Sequence, residues 1–74
     1  MNNYFLVNKN GRGLSQFKPQ DSRHHPLVFK KNEVMSFPTI EEAEKMLQSI
    51  ITRTPAQFKQ SSLNLRVSMY AKGF

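Results

Sequence analysis

His24 and His25 are the residues of this 74-residue chain whose type most directly suggests chemistry. A histidine can ligate a metal or move a proton near neutral pH. Neighbours in an extended segment point to opposite sides, so the two rings make a poor chelate. The chain has no cysteine to support them, and the nearest acid is Asp21. The pair is expected in a solvent-exposed loop, with a phosphate or RNA contact as the alternative. Glu41, Glu42 and Glu44 imitate a paired-carboxylate site. They sit at the start of a predicted helix, where the dipole and a capping box already account for them, and no second acid or histidine lies at usable spacing. No catalytic residue, metal or cofactor is therefore expected.

The basic residues are the stronger signal. Eleven Lys and Arg stand against five Asp and Glu, a net charge of +6. Residues 1–31 carry +5, residues 32–51 carry −3 and residues 52–74 carry +4. A basic body with one acidic helical face suits a negatively charged partner, either nucleic acid or an acidic protein surface. The candidate contacts are Lys9, Arg12, Lys18, Arg23, Lys30, Lys31, Arg66 and Tyr70, with Lys72 beside them. Phe17, Phe29, Tyr70 and Phe74 are interleaved with these cations, the composition that holds single strands by phosphate contacts and base stacking. The alternative partner face is Glu41 and Glu44 on the helix, facing a basic protein surface. That acidic face makes the helix a poor candidate for a DNA groove.

The elements that must position these residues follow from pattern. Tyr4-Phe5-Leu6-Val7-Asn8 reads as a strand. Asn10-Gly11 predicts a type I′ hairpin holding Lys9 and Arg12 at its tip, with Leu14–Phe17 returning and Gly13 able to form a bulge. Residues 18–26, with two prolines and little apolar, predict a loop, part of it mobile. Residues 27–31 form a second strand candidate. Asn32-Glu33 then turns into a third at 34–37, or 27–37 is one bent strand. Thr39 caps a helix whose stripe is Ile40, Ala43, Met46, Leu47, Ile50 and Ile51. Thr54-Pro55 reads as a second cap, opening one helical turn to about Lys59 that Ser61-Ser62 break. Leu63 to Tyr70 alternates as a half-buried strand, Leu63, Leu65, Val67 and Met69 inward, Asn64, Arg66, Ser68 and Tyr70 outward. The expected fold is α+β over a single domain, 1–74. It is a small antiparallel sheet of three to four strands with one amphipathic helix on one face, in strands–helix–strand order.

A chain this short buries a small share of its surface, so its core is marginal. Disorder is the competing global reading, and the eight aromatics and the patterned second half argue against it. No apolar run is long enough for a membrane span, and the N-terminus does not read as a secretory signal, so the expected location is the cytoplasm and no membrane partner is expected.

The segment from Val34 to Leu47, with an aromatic-ended strand, a Thr cap and the Glu41-Glu42-Ala43 helix start, resembles short orphan proteins of bacteriophages and mobile elements. The resemblance implies a non-enzymatic accessory protein acting in the host cytoplasm. Such a protein binds nucleic acid or a nucleic-acid-handling host complex, such as a nuclease, a polymerase or a defence complex, and modulates it. The alternative is a purely protein-directed inhibitor of a host enzyme, working through the acidic helix face or an exposed apolar patch.

Overall fold

Phe5, Leu6 and Val7 form β1 (Phe5–Val7), and all three are buried. The strand is hydrogen-bonded along both edges. On one edge Tyr4 and Phe37 exchange two backbone bonds of 2.8 Å, and the Leu6 carbonyl accepts from the Leu14 N–H at 2.8 Å. On the other lies β4 (Arg66–Ser68), antiparallel, with Phe5 opposite Ser68 and Val7 opposite Arg66. The structure is a computed structural model that describes residues 3–20 and 23–72. Asp21, the acid nearest the histidines, and Phe74, one of the interleaved aromatics, lie outside the described residues.

The hairpin after β1 forms, but not as type I′. The Gly11 N–H bonds the Asn8 carbonyl at 2.9 Å, and the Asn8 N–H bonds the Arg12 carbonyl at 3.0 Å. Gly11 has φ +82°, whereas Asn10 does not have positive φ. This is a type I turn followed by a left-handed glycine, the three-residue hairpin loop. Asn8 explains the choice. Its side-chain Oδ1 accepts from the N–H groups of both Asn10 and Arg12, at 2.9 and 3.0 Å, and so holds the turn from inside.

The returning segment divides its partners. Gly13 bridges Val7, whereas β2 (Gln16–Phe17) pairs antiparallel with β3 (Leu27–Val28). Two two-stranded sheets therefore replace the single sheet of three to four strands. Buried Ser15 sits at the division. Its Oγ accepts from the Lys30 N–H at 2.7 Å and donates to the Lys30 carbonyl at 3.1 Å, bonds a ladder would otherwise supply. Residues 34–37 are not a strand. A turn over 30–33, with Asn32 at φ 66°, redirects the chain, and Met35 and Phe37 make single-residue contacts with Leu14 and Tyr4. A side chain at Gly13 would force its neighbours to shift, since a Cβ there would lie 2.3 Å from Val34 Cγ1 and 3.0 Å from Ala71 Cβ.

Helix α1 (Ile40–Arg53) starts where its cap predicts. Thr39 is extended and its Oγ1 accepts from the Glu42 N–H at 3.2 Å. Ala43 and Ile50 are fully buried and Met46 and Leu47 pack half-buried against the core, but Ile40, in the first turn, is 44% exposed. Thr54 is a C-cap rather than an N-cap. Its hydroxyl donates to the Ile50 carbonyl at 2.5 Å and its N–H to the same oxygen at 2.9 Å. The Lys59 ammonium donates to the Ile51 carbonyl, placing a cation at the negative end of the helix dipole.

A 3₁₀ turn (Ala56–Phe58) leads into α2 (Lys59–Leu63), a second helix that the single-helix expectation lacked. Ser61-Ser62 do not break it, because buried Ser62 donates its hydroxyl to the Lys59 carbonyl at 2.9 Å. The last strand is correspondingly short. Leu63 ends α2 and is 54% exposed, and only Leu65 and Val67 of the apolar set reach the core. Leu6, Leu14, Leu27, Ala43, Ile50 and Leu65 form that core. The result is a small α+β domain with a radius of gyration of 11.5 Å, close to the ~11 Å expected of a compact chain this long.

Candidate functional site

The structure brings together part of the expected basic set and disperses the rest. Lys9 and Arg12 are exposed at the first hairpin, as its turn requires. The chain after β4 returns to this hairpin. Lys72 donates its N–H to the Gly11 carbonyl at 2.8 Å and accepts from the Gly13 N–H at 3.0 Å, which bridges it to Arg12 in parallel sense. Tyr70, two residues before Lys72, is 83% exposed, its backbone turned out by an N–H bond to Ser68 Oγ at 3.1 Å. An exposed aromatic thus lies two residues along the chain from Lys72, whose backbone bridges Arg12, with Lys9 at the same hairpin.

Lys30 and Lys31 occupy a separate turn, and the Lys30 ammonium lies 4.0 Å from a Glu33 carboxylate oxygen, both well exposed. A solvent-exposed pair at that distance holds its charge weakly. Lys18 and Arg23 are exposed on either side of the loop joining β2 and β3, and Arg66 is exposed on β4. Of the interleaved aromatics, Phe17 and Phe29 pack against the core. Phe17 also carries the Arg53 guanidinium 5.5 Å from its ring centroid. Tyr70 is thus the expected aromatic that is exposed among the described residues.

His24 and His25 are exposed in the loop between β2 and β3, as expected, and His25 is in addition held in place there. Its Nδ1 accepts from the Leu27 N–H at 3.2 Å. The proton must then sit on Nε2, which lies 3.0 Å from Ser61 Oγ and donates to it. Phe58 tilts against the ring at a centroid distance of 4.8 Å. A general base would need Nε2 free to accept the serine proton, so this tautomer does not activate Ser61 as a nucleophile. No three His, Asp or Glu side chains gather among the described residues to hold a metal.

The His25–Ser61 pair borders a cleft of about 200 Å³ that sequence reading missed. The hairpin residues Asn8, Lys9 and Asn10 form one wall, and Asn64 joins Ser61 on the wall from α2. Leu27 and Phe29 supply its apolar part. No carboxylate lines it among the described residues. Its residues come from three distant stretches, and no local spacing announces that convergence.

Glu41 and Glu44, the alternative partner face, are exposed on α1 with Lys45 and Gln48. Beside them Phe37 and Met46 form a shallow groove rimmed by Glu42 and Lys45. No helix among the described residues is long and apolar enough to cross a membrane. Comparison with known protein families, with curated proteins and with solved structures finds no match to this chain.

Proposed function

We propose that this protein is a non-enzymatic accessory protein, of the kind encoded by bacteriophages, that binds single-stranded nucleic acid through its basic surface. The observation that carries this reading is the 83% exposure of Tyr70, two residues along the chain from Lys72, whose backbone bridges Arg12. Nearly full exposure of a tyrosine ring forgoes its burial free energy. The ring is then free to stack on a base while neighbouring cations contact phosphates. Stacking is tolerant of sequence, since every base has a π-face, so the protein would bind single strands broadly. Lys9, Lys18, Arg23, Lys30, Lys31 and Arg66 extend the positive field around this point and speed encounter with a polyanion.

The test is a fluorescence-anisotropy titration of a single-stranded oligonucleotide across salt. Four phosphate contacts give a slope of log K against log salt of about −2.8 on single strands. Tyr70→Ala should weaken binding by about 1–3 kcal/mol with little change in slope, and Arg12→Ala should reduce the slope by roughly one contact. Salt-insensitive binding, or none at physiological salt, would remove the proposal. It would favour the second reading, a protein-directed inhibitor docking through the Phe37–Met46 groove and the adjoining Glu41 and Glu44.

A further inference from the structure

The cleft between the hairpin and α2 has an unbalanced hydrogen-bond inventory. Asn8 Oδ1 is occupied by two backbone N–H donors, which fixes the orientation of its amide and leaves its NH₂ group to donate elsewhere. Ser61 Oγ accepts from the His25 Nε2–H, so its own hydroxyl proton remains available. Asn64 Oδ1 faces Gln60 Nε2 at 3.4 Å, again leaving an NH₂ group. Lys9 adds an ammonium. The side-chain oxygens of Asn8, Ser61 and Asn64 accept from the protein while their N–H and O–H donors are left over, and Asn10 adds an amide that carries both a donor and an acceptor. No carboxylate among the described lining residues would repel an anion.

We propose that this cleft holds one nucleotide of a bound single strand. Its phosphate oxygens would accept from Asn8, Ser61, Asn64 and Lys9, and its base would lie against Phe29. Phosphate fits better than carboxylate, because it offers more lone pairs in more directions and so matches donors that converge from two walls. The half-buried Phe29 ring offers an apolar surface suited to a base. At about 200 Å³ the cleft falls below the ~300–1,000 Å³ usual for whole small-molecule ligands, which suits part of a strand more than a free cofactor. The proposal rests on the nucleic-acid reading above and gives one nucleotide of the bound strand a place distinct from Tyr70.

The experiment follows the side-chain amide resonances of Asn8 and Asn64 while the full chain is titrated with a single-stranded pentanucleotide, a mononucleotide, inorganic phosphate or a glutamate-rich peptide. The expected result is saturable shifts of both amides with the pentanucleotide, and weaker ones with the mononucleotide and with phosphate. Asn64→Asp, which places a carboxylate in the cleft, should weaken pentanucleotide binding about tenfold. Gln48→Glu, the same charge change on the exposed face of α1, should weaken it far less. Lys9→Gln, at an exposed turn position where misfolding is not a concern, should weaken binding about threefold to tenfold. If the pentanucleotide binds but shifts only the region of Arg12, Tyr70 and Lys72, the cleft assignment fails and the surface reading stands. Equal saturation by the mononucleotide or by the acidic peptide overturns the assignment to a strand. No binding of the pentanucleotide anywhere removes both readings.

Discussion

His25 shows how a side chain that invites a chemical interpretation can serve assembly instead. Its two nitrogens and its ring face join Leu27, Ser61 and Phe58, and so tie the start of β3 to the helical segment 36 positions later. His25→Ala should cost about 1–2 kcal/mol in a urea melt, from two lost hydrogen bonds and a ring contact. A midpoint that does not move would mean that water replaces those bonds without loss. Gly13 is the second residue whose role depends on distant chain. Gly13→Ala should destabilise by about 1–3 kcal/mol because of Val34, and adding Val34→Ala should recover part of the loss. Neither partner was legible in sequence. The Asn-Gly dipeptide announced a turn, but only the three-dimensional position of Val34 explains why position 13 favours glycine.

Among the elements, α1 was legible because its determinants are local. Thr39 and Glu42 lie three residues apart, and the stripe repeats within a few turns. The sheets were not, because each short segment there can satisfy its backbone with several partners. Ser15 illustrates the difficulty, for a side chain supplies two bonds to Lys30 that sequence reading would assign to a strand ladder. Thr54 could cap forward or backward, and the Ile50 carbonyl takes it backward. The burial along α1 also ranks its stripe. Ile50 is fully buried and Leu47 is not. Ile50→Ala should therefore cost roughly 2–5 kcal/mol and Leu47→Ala less, about 1–2 kcal/mol, in thermal melts. The reverse ranking would show that the helix is rotated on the sheet.

For the whole molecule, charge separation is the property that distinguishes the two functional readings. Four of the five acids lie from Glu33 to Glu44, and the exposed cations lie largely elsewhere. The candidate site was legible to the extent that its cations and Tyr70 could be named. The joining of Arg12 to Lys72, and the cleft behind the hairpin, depend on contacts between opposite ends of the chain. Lys30→Glu with Lys31→Glu should weaken oligonucleotide binding several-fold, whereas Glu41→Lys with Glu44→Lys should leave it equal or higher. Binding assays on the two folded double variants check this. The opposite ranking would transfer the interface to the acidic face of α1.

The pairing of β1 with β4 also sets the order of events during synthesis. Phe5, Leu6 and Val7 leave the ribosome early, and the strand that covers one of their edges is among the last described residues to follow. Contacts so distant in sequence close slowly, and an apolar strand waiting with an open edge is a site for association between nascent chains. Folding of this domain is therefore expected to wait until β4 has been synthesised. A chain ending before Arg66 should accumulate as aggregate or protease-sensitive material rather than as a smaller folded domain.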